Sequence, residues 1–255
     1  MFGASYKDED IVEVCGRKFP GFSRSEIHPI VSSMVCENPP GKVLDFPAGA
    51  GALAWRLHNC GFDVTSADKV VDNFLNHEMT IVEADLNYRF PFADGSFDYA
   101  CFIEGPEHVE NVYHCFREFS RVLKPGGKLF LSIPNYSNLQ NRLKDLVYGV
   151  SEPVVDWETL QREYDEDSRY MIHINRLHYP MVRMALEAAG LKVSTIRKDK
   201  IKRKQQFLWP VAAAIYGITK LRGNRGRVKY WMHETNSPDV LMGGNTLILS
   251  AVKRG

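Results

Sequence analysis

The sequence predicts an α/β fold, a doubly wound and mostly parallel sheet with helices on both faces. Three observations carry that expectation. The apolar run Lys42-Val43-Leu44 ends in Asp45, and the small-residue loop Phe46-Pro47-Ala48-Gly49-Ala50-Gly51 leads into a helical pattern from Ala52 to Cys60. This order of strand, glycine-bearing turn and helix opens a nucleotide-binding βα unit. Two further apolar runs also end in acids, at Asp68 and Asp85. Strand-like and helix-like patterns then alternate, the order that produces parallel sheets.

The elements follow in chain order. Ser23-Arg24-Ser25-Glu26 fits a capping box that starts a helix running to about Cys36, closed by Asn38-Pro39-Pro40-Gly41. Residues 1–40 are therefore expected to form a helical cap, over either the ligand pocket or one sheet face. Gly61–Asp68, Ile81–Leu86 and Phe97–Glu104 read as the second, third and fourth strands. Before Lys128–Pro134, a helix is expected to stop at Pro125-Gly126-Gly127. Asn135–Leu143 reads as a loop opening a helix, Glu152–Asp167 as an acidic stretch, and Tyr179–Ala189 as an amphipathic helix closed by Gly190. Leu191–Ile196 and Asn245–Val252 supply the last two strands.

With Asp45–Gly51, Asp68, Ala84-Asp85-Leu86, Phe97-Asp98 and Leu123-Lys124-Pro125-Gly126-Gly127 in this order, the chain resembles the class I S-adenosylmethionine-dependent methyltransferases. The resemblance is good over 40–135, loose over 177–198 and weak elsewhere. It departs at Pro47, where the family usually has glycine. It implies a seven-stranded sheet whose last strand is antiparallel, and S-adenosylmethionine as cofactor. Carried onto this chain, Asp45, Pro47, Ala48, Gly49 and Gly51 frame the methionine and ribose region. Asp68 serves the ribose and Asp85 with Leu86 the adenine, with Lys69, Ile103 and Glu104 as further cofactor-binding candidates. The core is then 41–198, with an acceptor-side segment at 135–178. An insertion follows over 199–243, and 244–255 completes the sheet.

Methyl transfer asks for orientation and, with a hydroxyl acceptor, for a base. Glu104, Glu107 and His108 stand at i, i+3 and i+4, so a helix beginning near Pro106 would bring them to one face. His108 is the expected base, with the two carboxylates orienting it. The Glu-x-x-Glu-His pattern also resembles ubiquinone-biosynthesis O-methyltransferases, in which such a set can hold a divalent metal. The rival reading is helix capping by acids, and the expectation here is no metal. Asn135, Tyr136, His173 and Arg176 are the acceptor-side candidates. His173, Arg176 and His178 read equally as a solvated connection.

The chain of 255 residues is 44% hydrophobic with net charge +1, which excludes wholesale disorder. Five cysteines form no CxxC pair and read as free thiols of a reducing compartment. The polar, acidic first ten residues carry no secretory or transit pattern, so a cytoplasmic location is expected. From Arg197 to Tyr230, eleven Lys or Arg face the single acid Asp199, leaving the rest of the chain at −9. Within that segment Gln205–Thr219 is uncharged and too short to span a bilayer. Basic flanks around an apolar run suggest peripheral contact with the inner face of a membrane; burial against the core or a second subunit is the alternative. The function expected is O-methylation of a small or lipid-linked acceptor such as a sugar, quinone or phenol. One rival is an RNA methyltransferase using 197–230, although no Asn/Asp-Pro-Pro-aromatic motif or suitably placed cysteine favours nucleic acid. The other is a methyltransferase-like regulatory protein without catalysis. The sequence does not assign an oligomeric state.

Overall fold

Seven strands make one sheet, and a two-stranded hairpin stands apart from it. The computed structural model describes residues 11–20, 26–163 and 172–255, with Lys204 described by its backbone only. The hairpin is β1 (Ile11–Val14) with β2 (Arg17–Pro20), followed by α1 (Ile27–Cys36). The core runs β3 (Lys42–Asp45), α2 (Ala52–Asn59), β4 (Asp63–Asp68), β5 (Ile81–Glu83), β6 (Phe97–Phe102), α3 (Val112–Val122) and β7 (Leu123–Pro134). Then come α4 (Leu139–Tyr148), α5 (Trp157–Glu163), α6 (Tyr179–Ala188), β8 (Leu191–Lys198) and a 3-10 turn over Arg203–Leu208. After α7 (Trp209–Leu221), α8 (Asn224–Lys229), α9 (Met232–Thr235) and α10 (Pro238–Leu241), β9 (Thr246–Lys253) ends the chain's last element.

The strand order is β5-β4-β3-β6-β7-β9-β8. All neighbours are parallel except β9, which runs antiparallel to both β7 and β8. The expected architecture is therefore present. Its order reverses between β3 and β6, which opens a crevice at the carboxyl ends of those strands. Side chains alternate across the sheet. Leu44, Ala100, Leu129 and Leu249 pack against Phe116 and Phe119 of α3 and Val182 and Leu186 of α6. Val43, Cys101, Phe130 and Ile248 pack on the other face against α1 and α2. Both faces of the central strands are covered, which is why they read as continuous apolar runs rather than alternating ones.

Three local expectations are revised. The segment before β3 is not purely helical, because the β1–β2 hairpin precedes α1. Arg17 ties that hairpin to the core, its guanidinium lying 3.9 Å from the Trp55 ring centroid and Nη1 donating to Asn76 at 3.1 Å. Ser23, Arg24 and Ser25 of the expected capping box lie outside the described residues, as do Asp165–Asp167 of the acidic stretch. The helix opens at Ile27 after Glu26, with no side-chain cap. The Pro125-Gly126-Gly127 triplet does not stop α3, which ends at Val122. It lies within β7 as an irregularity, since Phe97 pairs with Leu123 while Tyr99 pairs with Lys128. A Cβ on Gly127 would meet the Asp98 and Lys124 carbonyl oxygens at 2.9 Å. Finally, no helix begins at Pro106: residues 106–108 form a turn, and α3 starts only after Asn111, whose side chain accepts from the His114 amide at 3.0 Å.

Candidate active site

The carboxyl ends of β3, β4 and β6 frame a cavity of about 550 Å³, a size suited to a nucleoside-sized ligand. Its floor is the turn after β3. Gly51 adopts φ +88°, and a Cβ there would stand 2.7 Å from Phe74 Cε2, so only glycine lets the turn close onto α2. The Phe46–Pro47 peptide is cis. Asp68, at the end of β4, accepts from the Gly49 amide at 2.8 Å and the Val70 amide at 3.0 Å. One carboxylate thus fixes the loop and its own orientation at the cavity wall.

Asp45 is almost wholly buried, and its Oδ2 has no hydrogen-bond partner. Burial, followed by the Asp68 charge, pushes its carboxyl up to about 8, with the Ala54 amide working the other way. An unpartnered buried carboxyl lining a cavity suits a ligand that brings a cationic or hydrogen-donating group. Asp85 behaves oppositely. Burial opposes its charge, but the Asn87 amide at 2.9 Å and the Lys69 ammonium at 3.1 Å outweigh it and hold the carboxyl below its usual range.

The acceptor side is built from the turn after β6 and from residues 172–176. Glu104 sits at φ +49°, a conformation unusual for a side-chain-bearing residue. It is held there by Ser132, whose Oγ accepts from the Glu104 amide at 2.8 Å and donates to Glu104 Oε1 at 2.9 Å. Glu107 is buried, its Oε2 has no partner, and burial followed by the Glu104 charge raises its carboxyl well above the usual range. His108 Nδ1 lies 3.2 Å from the Ile172 carbonyl oxygen. A carbonyl only accepts, so the neutral ring carries its hydrogen on Nδ1 and its lone pair on Nε2. The His173 ring stands edge-on to His108, with centroids 5.0 Å apart. Behind it, Tyr136 Oη donates to Glu152 Oε2 at 2.7 Å and lies 3.2 Å from His173 Nδ1.

Most of the predicted residues come together here. Asp45, Pro47, Ala48, Gly49, Asp68, Lys69, Asp85, Leu86, Ile103, Glu104, Glu107, His108 and His173 line the cavity. Gly51 shapes the turn without lining it, and Tyr136 reaches the cavity only through His173. Asn135 and Arg176 are not part of the wall. The Asn135 side chain donates to the Val240 carbonyl at 3.0 Å and Arg176 Nη2 to the Pro153 carbonyl at 2.9 Å. The predicted trio of Glu104, Glu107 and His108 is also redrawn. Among the described residues, the donors that approach one another within 4.8 Å are those of Glu107, His108 and His173. Two nitrogens and one oxygen would suit a borderline ion such as Zn²⁺. Sequence reasoning missed Pro20, His28, Asn73 and Asn87, which also line the wall. Burial, then Arg56, lowers His28 to about 4, leaving it neutral.

Comparison with known proteins agrees with this fold. Residues 44–131 match the family model described as a methyltransferase domain. A ubiquinone/menaquinone biosynthesis C-methyltransferase of Bartonella henselae is 32% identical over 123 residues, 43% of this chain and 46% of the relative. A ubiquinone biosynthesis O-methyltransferase of Xanthomonas oryzae pv. oryzae is 33% identical over 103 residues, 37% of this chain and 43% of the relative. The matched region spans less than half the length of either relative. The PH0226 protein of Pyrococcus horikoshii OT3 shares the fold, with a TM-score of 0.57 at 19% identity over 91% of this chain and 93% of that one.

Proposed function

We propose that this chain, a class I S-adenosylmethionine-dependent methyltransferase by its fold and by the methyltransferase domain over residues 44–131, methylates a hydroxyl oxygen of a small or lipid-linked acceptor. The observation that carries the reading is His108: its Nδ1 is engaged by the Ile172 carbonyl, so its basic nitrogen is Nε2, in a side chain that lines the cavity. The relatives are named for ubiquinone and menaquinone biosynthesis, one for methylation of carbon and one for methylation of oxygen, which favours a quinone-type acceptor; a sugar hydroxyl needs the same base.

The bound cofactor would supply an activated methyl group on a sulfonium sulfur. The residues fit it: Asp45 offers an unpartnered carboxyl to a cationic group, Asp68 and Lys69 stand at the wall where a ribose is expected, and Asp85 with Leu86 and Asn87 continues it. His108 takes the acceptor's proton at Nε2 as the oxygen becomes nucleophilic. Burial and the Glu104 charge push the Glu107 carboxyl well above its usual range, which favours its neutral, hydrogen-bond-donating form over a second negative charge beside the forming alkoxide or phenoxide. Glu104, pinned by Ser132, sets the position of the turn that carries both.

The test is kinetic and analytical. His108→Ala is expected to lower turnover about 10²-fold or more while leaving S-adenosylmethionine affinity unchanged. Asp68→Ala is expected to weaken cofactor binding about tenfold or more, since buried hydroxyls left unpaired cost about 1–3 kcal/mol. Full activity of His108→Ala would remove the base. A labelled methyl found on carbon would replace O- by C-methylation. Activity abolished by chelation and restored by Zn²⁺ or Mg²⁺ would transfer activation of the hydroxyl to a metal on Glu107, His108 and His173.

A further inference from the structure

The segment after β8 departs from the usual fate of apolar sequence. Helix α7, WPVAAAIYGITKL, carries one charged residue, yet only Ala212 and Thr219 are buried. Val211, Ala214, Ile218 and Leu221 recur at helical spacing and are all exposed, with Leu221 at 88%. The preceding 3-10 turn is anchored by buried Gln205, whose Nε2 donates to the Leu241 carbonyl at 2.6 Å. That anchor leaves Phe207 88% and Trp209 66% exposed. The same turn packs beside α4, whose end presents Leu146, Val147 and Tyr148, with Leu146 at 81%. Two neighbouring elements therefore show large apolar side chains to solvent, far more than isolated surface residues require.

The charges carried by residues 200–230, after β8, have one sign. From Lys200 to Tyr230 there are nine Lys or Arg and no acid. Among the described residues Arg203, Lys220, Arg222, Arg225, Arg227 and Lys229 make no ion pair. Acids on the adjoining elements are engaged elsewhere: Asp145 of α4 lies 3.7 Å from His178 Nε2, Glu152 accepts from Tyr136, and Glu234 of α9 pairs with Arg183 at 3.0 Å. No helix is long and apolar enough to cross a membrane among the described residues.

We propose that α4, the Arg203–Leu208 turn, α7 and α8 form a surface that docks on an anionic lipid bilayer. Phe207, Trp209, Leu221 and Leu146 enter the acyl boundary and the surrounding bases meet the headgroups. Exposed aromatics beside unpaired bases fit an anionic interface on both counts, whereas a second copy of this chain would oppose one basic surface to another. The segment from Gly149 to Pro153 connects the end of α4 with Glu152, Tyr136 and His173 at the cavity, so a docked molecule holds the acceptor side of its site near the lipid. The surface goes beyond the proposed chemistry and stands or falls apart from it.

Co-sedimentation of the full chain with phosphatidylcholine vesicles, with and without phosphatidylglycerol, tests the proposal. Binding is expected only with the anionic lipid and is expected to fade as salt rises. Phe207→Ser combined with Leu221→Ser should reduce it tenfold or more, and so should Arg222→Glu combined with Arg225→Glu. All four residues are exposed, and S-adenosylmethionine titration of each variant reports on the site separately. Failure to bind anionic vesicles at low salt, equal binding to neutral ones, or undiminished binding of both variants would overturn the proposal. So would self-association, or salt-dependent RNA binding, abolished by the same substitutions without any vesicle binding.

Discussion

Beneath the loop that follows β3, Asp45 keeps its proton up to about pH 8 through burial and the nearby Asp68 charge. A cationic ligand group seated there favours the ionised form, so binding must expel that proton. Below pH 8 the apparent affinity for S-adenosylmethionine is therefore expected to fall as pH falls, approaching about tenfold per unit where one proton is released. Calorimetric titration from pH 6.5 to 8.5, in buffers of different ionisation heat, reads both the slope and the proton. Asp45→Asn should bind more weakly and lose the slope; an unchanged slope would place the proton elsewhere. At this scale the strand-end acids were legible because a parallel sheet puts every carboxyl end on one edge, so a strand that stops in Asp announces a wall residue. Asn73 and Asn87 were not legible, since each comes from a connection whose path only the folded chain defines, and His28 was not, since the pattern that marks α1 does not say which of its side chains faces the cavity. Asn135 and Arg176 shared the right edge but spend their side chains on backbone carbonyls, a fate that no local pattern reveals.

The turn from Glu104 to His108 couples the two halves of the site. Gly105 packs where a Cβ would collide with the Phe102 ring and lie 3.1 Å from Pro47 Cδ. The acceptor-side turn therefore rests directly on the loop beneath the cofactor pocket. Gly105→Ala is expected to destabilise the chain by about 1–3 kcal/mol. It should also lower turnover more than cofactor affinity, because Glu107 and His108 move with the turn. A denaturant melt with paired kinetics checks this; wild-type turnover in a folded variant would uncouple the elements. Element existence was readable from apolar runs and breakers, and β3 begins and ends where the pattern placed it. Termini were harder. Pro125-Gly126-Gly127 carries helix-stop chemistry, yet tertiary pairing with β6 absorbs it into β7. The hairpin β1–β2 escaped notice because its strands have four residues each and depend on Arg17 stacking on Trp55 of a distant helix.

Across the whole molecule, the buried carboxyls that prepare the site also bias its stability. In the unfolded chain Asp45 and Glu107 ionise near ordinary carboxylate values. Folded, Asp45 titrates near 8 and Glu107 is likewise shifted upward. Over the interval between, the native state binds more protons than the unfolded state, so stability falls as pH rises. His28 acts in the opposite sense. Its folded value of about 4 lies below the unfolded 6.5, so its contribution is lost only as pH falls through that lower range. From pH 6.5 to 8 Asp45 therefore sets the slope, and Glu107 acts in the same direction. Asp45 alone contributes a loss on the order of 1 kcal/mol per pH unit. For a chain of this size 1 kcal/mol shifts Tm by about 2–4 °C. The ligand-free protein is thus expected to melt several degrees lower at pH 8 than at pH 6.5. Asp45→Asn should flatten that slope. Saturating S-adenosylmethionine should flatten it as well, because ionised Asp45 then persists in the folded state. Scanning calorimetry of wild type, Asp45→Asn and the cofactor-loaded protein at both pH values decides it. If all three share one slope, Asp45 is not held protonated, and the argument that it receives a cationic group at the base of the cavity fails with it.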